Sequence, residues 1–165
     1  MSSIYHEGND PDKCIDGIND GPDGHPGDLC HTNHEQAPWL ALDFGEDLRV
    51  SVESVLLYNR VNRNDIAGRT RNVEIRLSEE LPTSTSSMFT GGSLLGTFAG
   101  PGTSGQMILI ESGANWPTKY GRYVIVQMDN GNDPLNLKEV TVFGKGELPK
   151  YMVSLAVRLE RGSTF

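Results

Sequence analysis

The stretch Trp39-Leu40-Ala41-Leu42-Asp43-Phe44-Gly45, followed by Arg49-Val50-Ser51-Val52-Glu53-Ser54-Val55-Leu56-Leu57-Tyr58-Asn59, decides the fold. Its apolar residues recur in short alternations, with Trp39, Leu40, Leu42 and Phe44 in one run and Val50, Val52, Val55 and Leu57 in the next. That period belongs to half-buried strands and excludes an amphipathic helix over the same residues. Further along, Val73, Ile75 and Leu77 form a third run, and Leu94 to Phe98, Met107 to Ile110, Tyr123 to Met128 and Val140 to Phe143 continue the series. Gly, Pro, Asn or Ser bounds each one, and no helix of three turns is evident. The pattern predicts an all-β chain, an antiparallel β-sandwich.

The chain has 165 residues, the size of one domain with a core of its own. Upstream of Trp39 the character is different. Residues 1 to 35 lack any period and are rich in Gly, Pro, Asp and Asn, a succession of turns. They hold eight acids (Glu7, Asp10, Asp12, Asp16, Asp20, Asp23, Asp28 and Glu35) against Lys13, so they carry −7 of the net charge of −8. That local field repels nucleic-acid phosphates and anionic lipid headgroups and attracts a hard divalent cation. No apolar run is long enough to span a membrane, and the start Met1-Ser2-Ser3-Ile4-Tyr5-His6-Glu7 has neither the basic nor the apolar region of a secretion leader. Membrane insertion is therefore not expected, and an exported protein would have a leader that this sequence lacks.

Cys14 and Cys30, 16 positions apart, flank the acidic turns. They have two readings: a disulfide worth about 3 kcal/mol in an oxidising compartment, or two reduced, buried thiols. No Cys-x-x-Cys spacing suggests structural zinc. Pro82 to Met88 and Ala99 to Gly105 read as polar edge connections with no chemistry. Residues 147–165, where Val153, Leu155 and Val157 alternate, read as an extra edge strand, a linker toward a further domain or an appended remnant.

The candidate chemistry is concentrated in Cys30-His31-Thr32 and in the loop Arg60 to Arg69, which also carries Asn62, Arg63, Asp65 and Ile66. Guanidinium forks donate in a plane to adjacent oxygens, a neutral imidazole both donates and accepts, and a carboxylate or amide beside them holds the forks in place. Such a surface matches the hydroxyls of a sugar and forms a binding site with no reaction centre. His31-x-x-His34 has no third ligand at a metal spacing, and there is no Gly-x-Ser-x-Gly elbow or phosphate-binding glycine loop, so an enzyme is not expected. Trp39 reads as core, and Trp116, between Asn115 and Pro117, as more exposed.

Four blocks in register resemble the F-type (fucolectin-like) lectins, a branch of the discoidin and coagulation-factor C-type jelly rolls. They are Ile15 to Asp20; Cys30-His31-Thr32 with Pro38-Trp39 and Leu42-Asp43-Phe44-Gly45; Tyr58-Asn59-Arg60 with Arg69 to Ile75; and Gly121 to Gln127 with Leu137 to Gly144. The resemblance implies an eight-stranded, discoidin-like jelly roll over residues 14–146, preceded by an extension at 1–13 and followed by a tail at 147–165. It also implies a secreted, calcium-containing lectin for a terminal sugar, chiefly L-fucose, with fucosylated or related glycans as partners and homo-oligomers or tandem repeats to supply avidity. The alternative within the superfamily is an adhesion module gripping lipid headgroups or a protein.

In the family motif, His is followed by Arg-x-Asp and a further Arg. His31, Arg60 and Arg69 fit it with Asn62 as counterpart of the Asp and a loop two residues longer than the motif; the rival register takes Arg63-Asn64-Asp65. The family's vicinal cysteine pair, stacked on fucose, has no counterpart. Ile66 is the nearest replacement for that surface, with Tyr58 and His34 as others. Carried over, a structural Ca²⁺ would take the backbone carbonyls of Ile18, Pro22 and Lys138 and the carboxylates of Asp20, Asp28 and Glu139. Lys138 stands where the family has the cysteine that pairs with the His segment, which leaves Cys30 to pair with Cys14 or stay free, the former being expected.

Overall fold

The structure, a computed structural model, describes residues 1–19, 27–61, 63–114, 119–129, 131–148 and 151–157, with 147, 148 and 151–157 as backbone alone. Among them are nine strands in two antiparallel sheets, and no helix is long and apolar enough to cross a membrane. One sheet contains β1 (Cys30–His31), β8 (Asn136–Leu148), β3 (Arg49–Asn59) and β6 (Met107–Glu111) in that order, and β9 (Tyr151–Val157) also pairs with β8. The other contains β2 (Trp39–Asp43), β7 (Tyr123–Met128), β4 (Val73–Ser78) and β5 (Ser93–Phe98). This is the expected antiparallel sandwich. The tail segment over 151–157 is a strand on β8.

The alternations explain the layers. In β6, Ile108 and Ile110 are buried while Met107, Leu109 and Glu111 face solvent, and their register partners Leu57 and Val55 are buried as well. Leu40, Leu42, Val52, Val55, Leu57, Val73, Ile75, Leu77, Val124, Val126, Leu137 and Val142 belong to one core between the sheets. Each such side chain contributes about 1.5–3 kcal/mol on burial, which secures the register. Trp39 is half-buried at the start of β2, and Trp116 lies outside the described residues.

β7 is buried along its whole length, because its outer face is covered too. Gln127 accepts from Phe89 N–H at 3.0 Å and donates to Phe89 O at 2.8 Å and to Glu74 at 3.1 Å, while Ala37 N–H reaches Thr85 O at 2.9 Å. The Ser/Thr-rich loop is therefore a cover for the second sheet.

Two features of the frame place the loops discussed next. β3 and β8 lose register between Tyr58 and Asn59, a bulge that ends the strand at the arginine loop. The N-terminal segment lies along the domain, with Ser2 N–H donating to Trp39 O at 2.8 Å and Tyr5 N–H to His31 O at 2.9 Å.

Candidate carbohydrate site

Asn59 closes the arginine loop at its base. Its side chain is 1% exposed and all of its bonding capacity is taken inside the protein. Nδ2 donates to Ala67 O at 3.0 Å and Thr103 O at 2.9 Å, and Oδ1 accepts from Arg60 N–H at 3.0 Å and from Thr70 Oγ1 at 2.8 Å. A buried amide satisfied at both ends fixes its neighbours, since breaking any of these bonds would strand a polar atom. Arg60 and Arg69 leave the loop from either side of this clamp.

The turn around residues 99–105, which the sequence marks as an edge connection, is the bed under that loop. Gly102 N–H donates to Thr70 O at 2.8 Å, Gly105 N–H to Arg60 O at 2.9 Å and Ser104 N–H to Asn64 Oδ1 at 2.9 Å. A Cβ at Gly102 would come within 2.6 Å of Asn59 Nδ2, so only glycine lets the turn approach the amide this closely.

His31 is 9% exposed at the end of β1. Its Nδ1 is 2.6 Å from Thr32 O. A carbonyl can only accept, so Nδ1 carries the proton and Nε2 of the neutral ring is an acceptor. Burial pushes the imidazole pKa down to about 4, partly opposed by the Thr32 bond, and the charges of Arg60, Arg69 and His34 lower it further. The two guanidiniums are thus near enough to act on the ring. The adjoining backbone is pinned to the far loop, with Thr32 N–H on Leu135 O and Leu135 N–H on Thr32 Oγ1, both at 2.9 Å.

The other expected site residues divide. Arg63 and Asp65 form a bidentate pair with each other, at 3.2 and 2.9 Å, on an exposed one-turn helix α1 (Asn64–Ala67). Ile66 is half-buried on that helix, and Asn62 lies outside the described residues. Tyr58 lies opposite Met107 and Glu139 in β3, and exposed His34 has its Nδ1 3.0 Å from Asn132 O.

Two contributors escaped the sequence reading. Asp133 lies between two guanidiniums, 3.7 Å from Arg69 Nε and 2.9 Å from Arg71 Nη2. The other is Tyr5, whose ring stacks on His31 with centroids 4.7 Å apart and planes 29° apart. The same ring forms T-shaped pairs with His6 and His34, with centroids 4.2 and 6.5 Å apart. Asp133 sits in an irregular turn and Tyr5 in a segment with no period, so neither carried a local signal.

Cys14 and Cys30 form a disulfide with Cα atoms 5.3 Å apart, so the acidic turns are tied directly to β1. Nearby, Gly17 N–H donates to Glu139 Oε2 at 3.1 Å and Ile18 N–H to Asp16 Oδ1 at 3.0 Å. Glu139 is 7% and Lys138 2% exposed, Asp28 is half-buried and the Ile18 side chain is exposed. Asp20 and Pro22 lie outside the described residues. Among the described residues no three His, Cys, Asp or Glu side chains gather around one metal position. A nearly buried carboxylate beside oxygen-rich turns nevertheless has the donor chemistry of a hard-cation site.

By sequence alone, no protein-family model and no curated relative matches the chain. Solved structures do. The lectin domain of lectinolysin, in complex with Lewis B antigen, superposes with a TM-score of 0.61 at 28% identity over 86% of this chain and 88% of that one. A fucose-binding module of Streptococcus pneumoniae gives a TM-score of 0.62 at 23% identity over 86% of both chains. A fucolectin from the serum of striped bass, Morone saxatilis, gives 0.69 at 24% identity over 88% of this chain and 45% of that one. The chain has the discoidin-like jelly-roll fold of F-type lectins.

Proposed function

We propose that this protein is a non-catalytic lectin that binds a terminal sugar, L-fucose or a close relative, at His31, Arg60 and Arg69. The observation that carries the reading is the 2.6 Å contact of His31 Nδ1 with Thr32 O: with Nδ1–H committed there, the neutral ring presents Nε2 as an acceptor, and Arg60 and Arg69 are near enough for their charges to act on it. A sugar hydroxyl is both donor and acceptor, so it can give its proton to Nε2 while taking hydrogen bonds from an arginine. Asp133 pairs with both Arg69 and Arg71, which reduces the entropy lost when a ligand engages them. Lewis B antigen in the lectinolysin complex and the fucose-binding activity named for the pneumococcal module support this choice of ligand class.

Each hydrogen bond nets about 1 kcal/mol, so one monosaccharide would bind at micromolar to millimolar levels. Oligomers or tandem copies would then supply avidity toward clustered glycans.

The same reading assigns a structural Ca²⁺ to the acidic turns, with Asp28, Glu139 and the carbonyls of Ile18 and Lys138 as ligands alongside Asp20 and Pro22. The ion would supply rigidity beneath His31 through the Cys14–Cys30 link, and no chemistry at the sugar. The disulfide supports an extracellular, oxidising setting. A glycan array run with and without calcium tests the assignment. Fucosylated glycans should dominate the signal; an array without carbohydrate signal would refute it.

A further inference from the structure

We propose that Asn136 is a specificity-determining residue of the sugar site, a second acceptor that takes a hydroxyl neighbouring the one bound at His31; this rests on the site reading above. Asn136 stands opposite His31 where β1 pairs with β8, and on the other side of β8 Leu137 stands opposite Asn59, so Arg60 leaves β3 level with Asn136. His31, Asn136 and Arg60 thus lie in one row across three adjacent strands, and residues directly opposed in a sheet present their side chains to the same face. The charge of Arg60 acts on the His31 ring, which places the two ends of the row close together. The residue between them is 1% exposed. Its Nδ2 donates to Pro134 O at 3.1 Å, and a carbonyl can only accept, which fixes the orientation of the amide. Oδ1 is then left buried with no hydrogen-bond partner among the described residues.

A buried acceptor without a donor costs stability, and an apolar side chain of similar size would avoid that cost. Local rules of this kind are broken at functional sites, where a ligand supplies what the protein withholds. His31 Nδ1–H is committed to Thr32 O, so the neighbouring ring gives Asn136 no proton and presents an acceptor of its own. Two acceptors side by side, next to guanidinium donors, call for two hydroxyls: one gives its proton to His31 Nε2, the other to Asn136 Oδ1, and both oxygens accept from the arginines. The terminal torsion of asparagine is soft, so a modest turn swings Oδ1 toward a hydroxyl lodged in the row. The ligand class is therefore a pyranose with both hydroxyls intact, and a sugar deoxygenated at the second one leaves Asn136 unsatisfied.

The test compares wild type, Asn136→Leu, Asn136→Ala and Arg69→Ala, with methyl α-L-fucoside and its 2-, 3- and 4-deoxy analogues as inhibitors of binding to a densely fucosylated surface. Two Asn136 variants are made so that one that folds, checked by circular dichroism, is in hand. It should bind the fucoside roughly tenfold more weakly than wild type does. Toward one deoxy analogue, the one lacking the hydroxyl that Asn136 accepts, variant and wild type should be alike, because the bond is then missing from both. A loss by the same factor for the fucoside and every analogue would mean that Asn136 only shapes the row, and an unchanged fucoside affinity that its amide is idle. Either result overturns this inference while leaving the site reading intact. Binding unaffected by Arg69→Ala, or wild type that no fucoside inhibits, overturns the site reading and this inference with it.

Discussion

Thr70 Oγ1 donates to Asn59 Oδ1 at 2.8 Å, and this one hydrogen bond closes the loop whose two ends carry Arg60 and Arg69. Both groups are nearly inaccessible, at 1% each, so the bond cannot be exchanged for one to water. The geometry of the proposed sugar site is thus set one layer below it. Thr70→Val removes a donor and leaves Asn59 Oδ1 with only the Arg60 N–H. It should cost about 1–3 kcal/mol of stability and weaken fucoside binding although both arginines remain, as chemical denaturation and calorimetry on the same sample would show. Full binding in a destabilised Thr70→Val protein would separate the clamp from the site.

The pH dependence follows from His31, whose pKa falls from 6.5 to about 4 on folding. The unfolded state binds more protons between those values, so the residue's contribution to stability is complete above about 6.5 and declines as the pH drops toward 4. If the proposed site holds, sugar binding requires the neutral Nε2 acceptor and should be level from neutral pH downward until about 4, where it collapses. A midpoint near 6.5, read by titrations across that range, would mean that the ring is as solvated as a free imidazole.

Calcium should act on stability more than on contact with the sugar. EDTA is expected to lower Tm, calcium to restore it, and Glu139→Gln to remove most of the response. A Tm indifferent to both would dismiss the ion.

Reduction is a separate perturbation of the same region. The Cys14–Cys30 loop is worth about 3 kcal/mol in the chain-entropy account, and Cys14→Ser with Cys30→Ser should lower the denaturation free energy by about that amount. Because Cys30 adjoins His31, sugar affinity should fall as well. Equal stability of the two proteins in denaturant would show that the hydrogen bonds of the N-terminal segment alone hold the turns.

Much of this was legible in the sequence, for definable reasons. The alternation Val50, Val52, Val55, Leu57 is a period-two signal interrupted by a bulge between Val52 and Ser54, and it read through as a strand. His31, Arg60 and Arg69 stood out as candidates because their residue types suit only a few tasks and because their order fits the lectin motif. Asp133 and Tyr5 were hidden because their roles arise from contacts over long sequence separations: Asp133 reaches back to Arg69 and Arg71, and Tyr5 lies against a ring in a strand it precedes. The turn of residues 99–105 looked inert because glycine shows its purpose only when something packs against it, here Asn59.

The central claim is that His31 and Arg69 act on one saccharide, and isothermal titration of wild type, His31→Ala and Arg69→Ala with methyl α-L-fucoside tests it most directly. Wild type should bind with one site per chain, and each variant should lose detectable binding while remaining folded, since neither side chain belongs to the hydrophobic core. A folded variant that still binds at wild-type affinity would contradict the account.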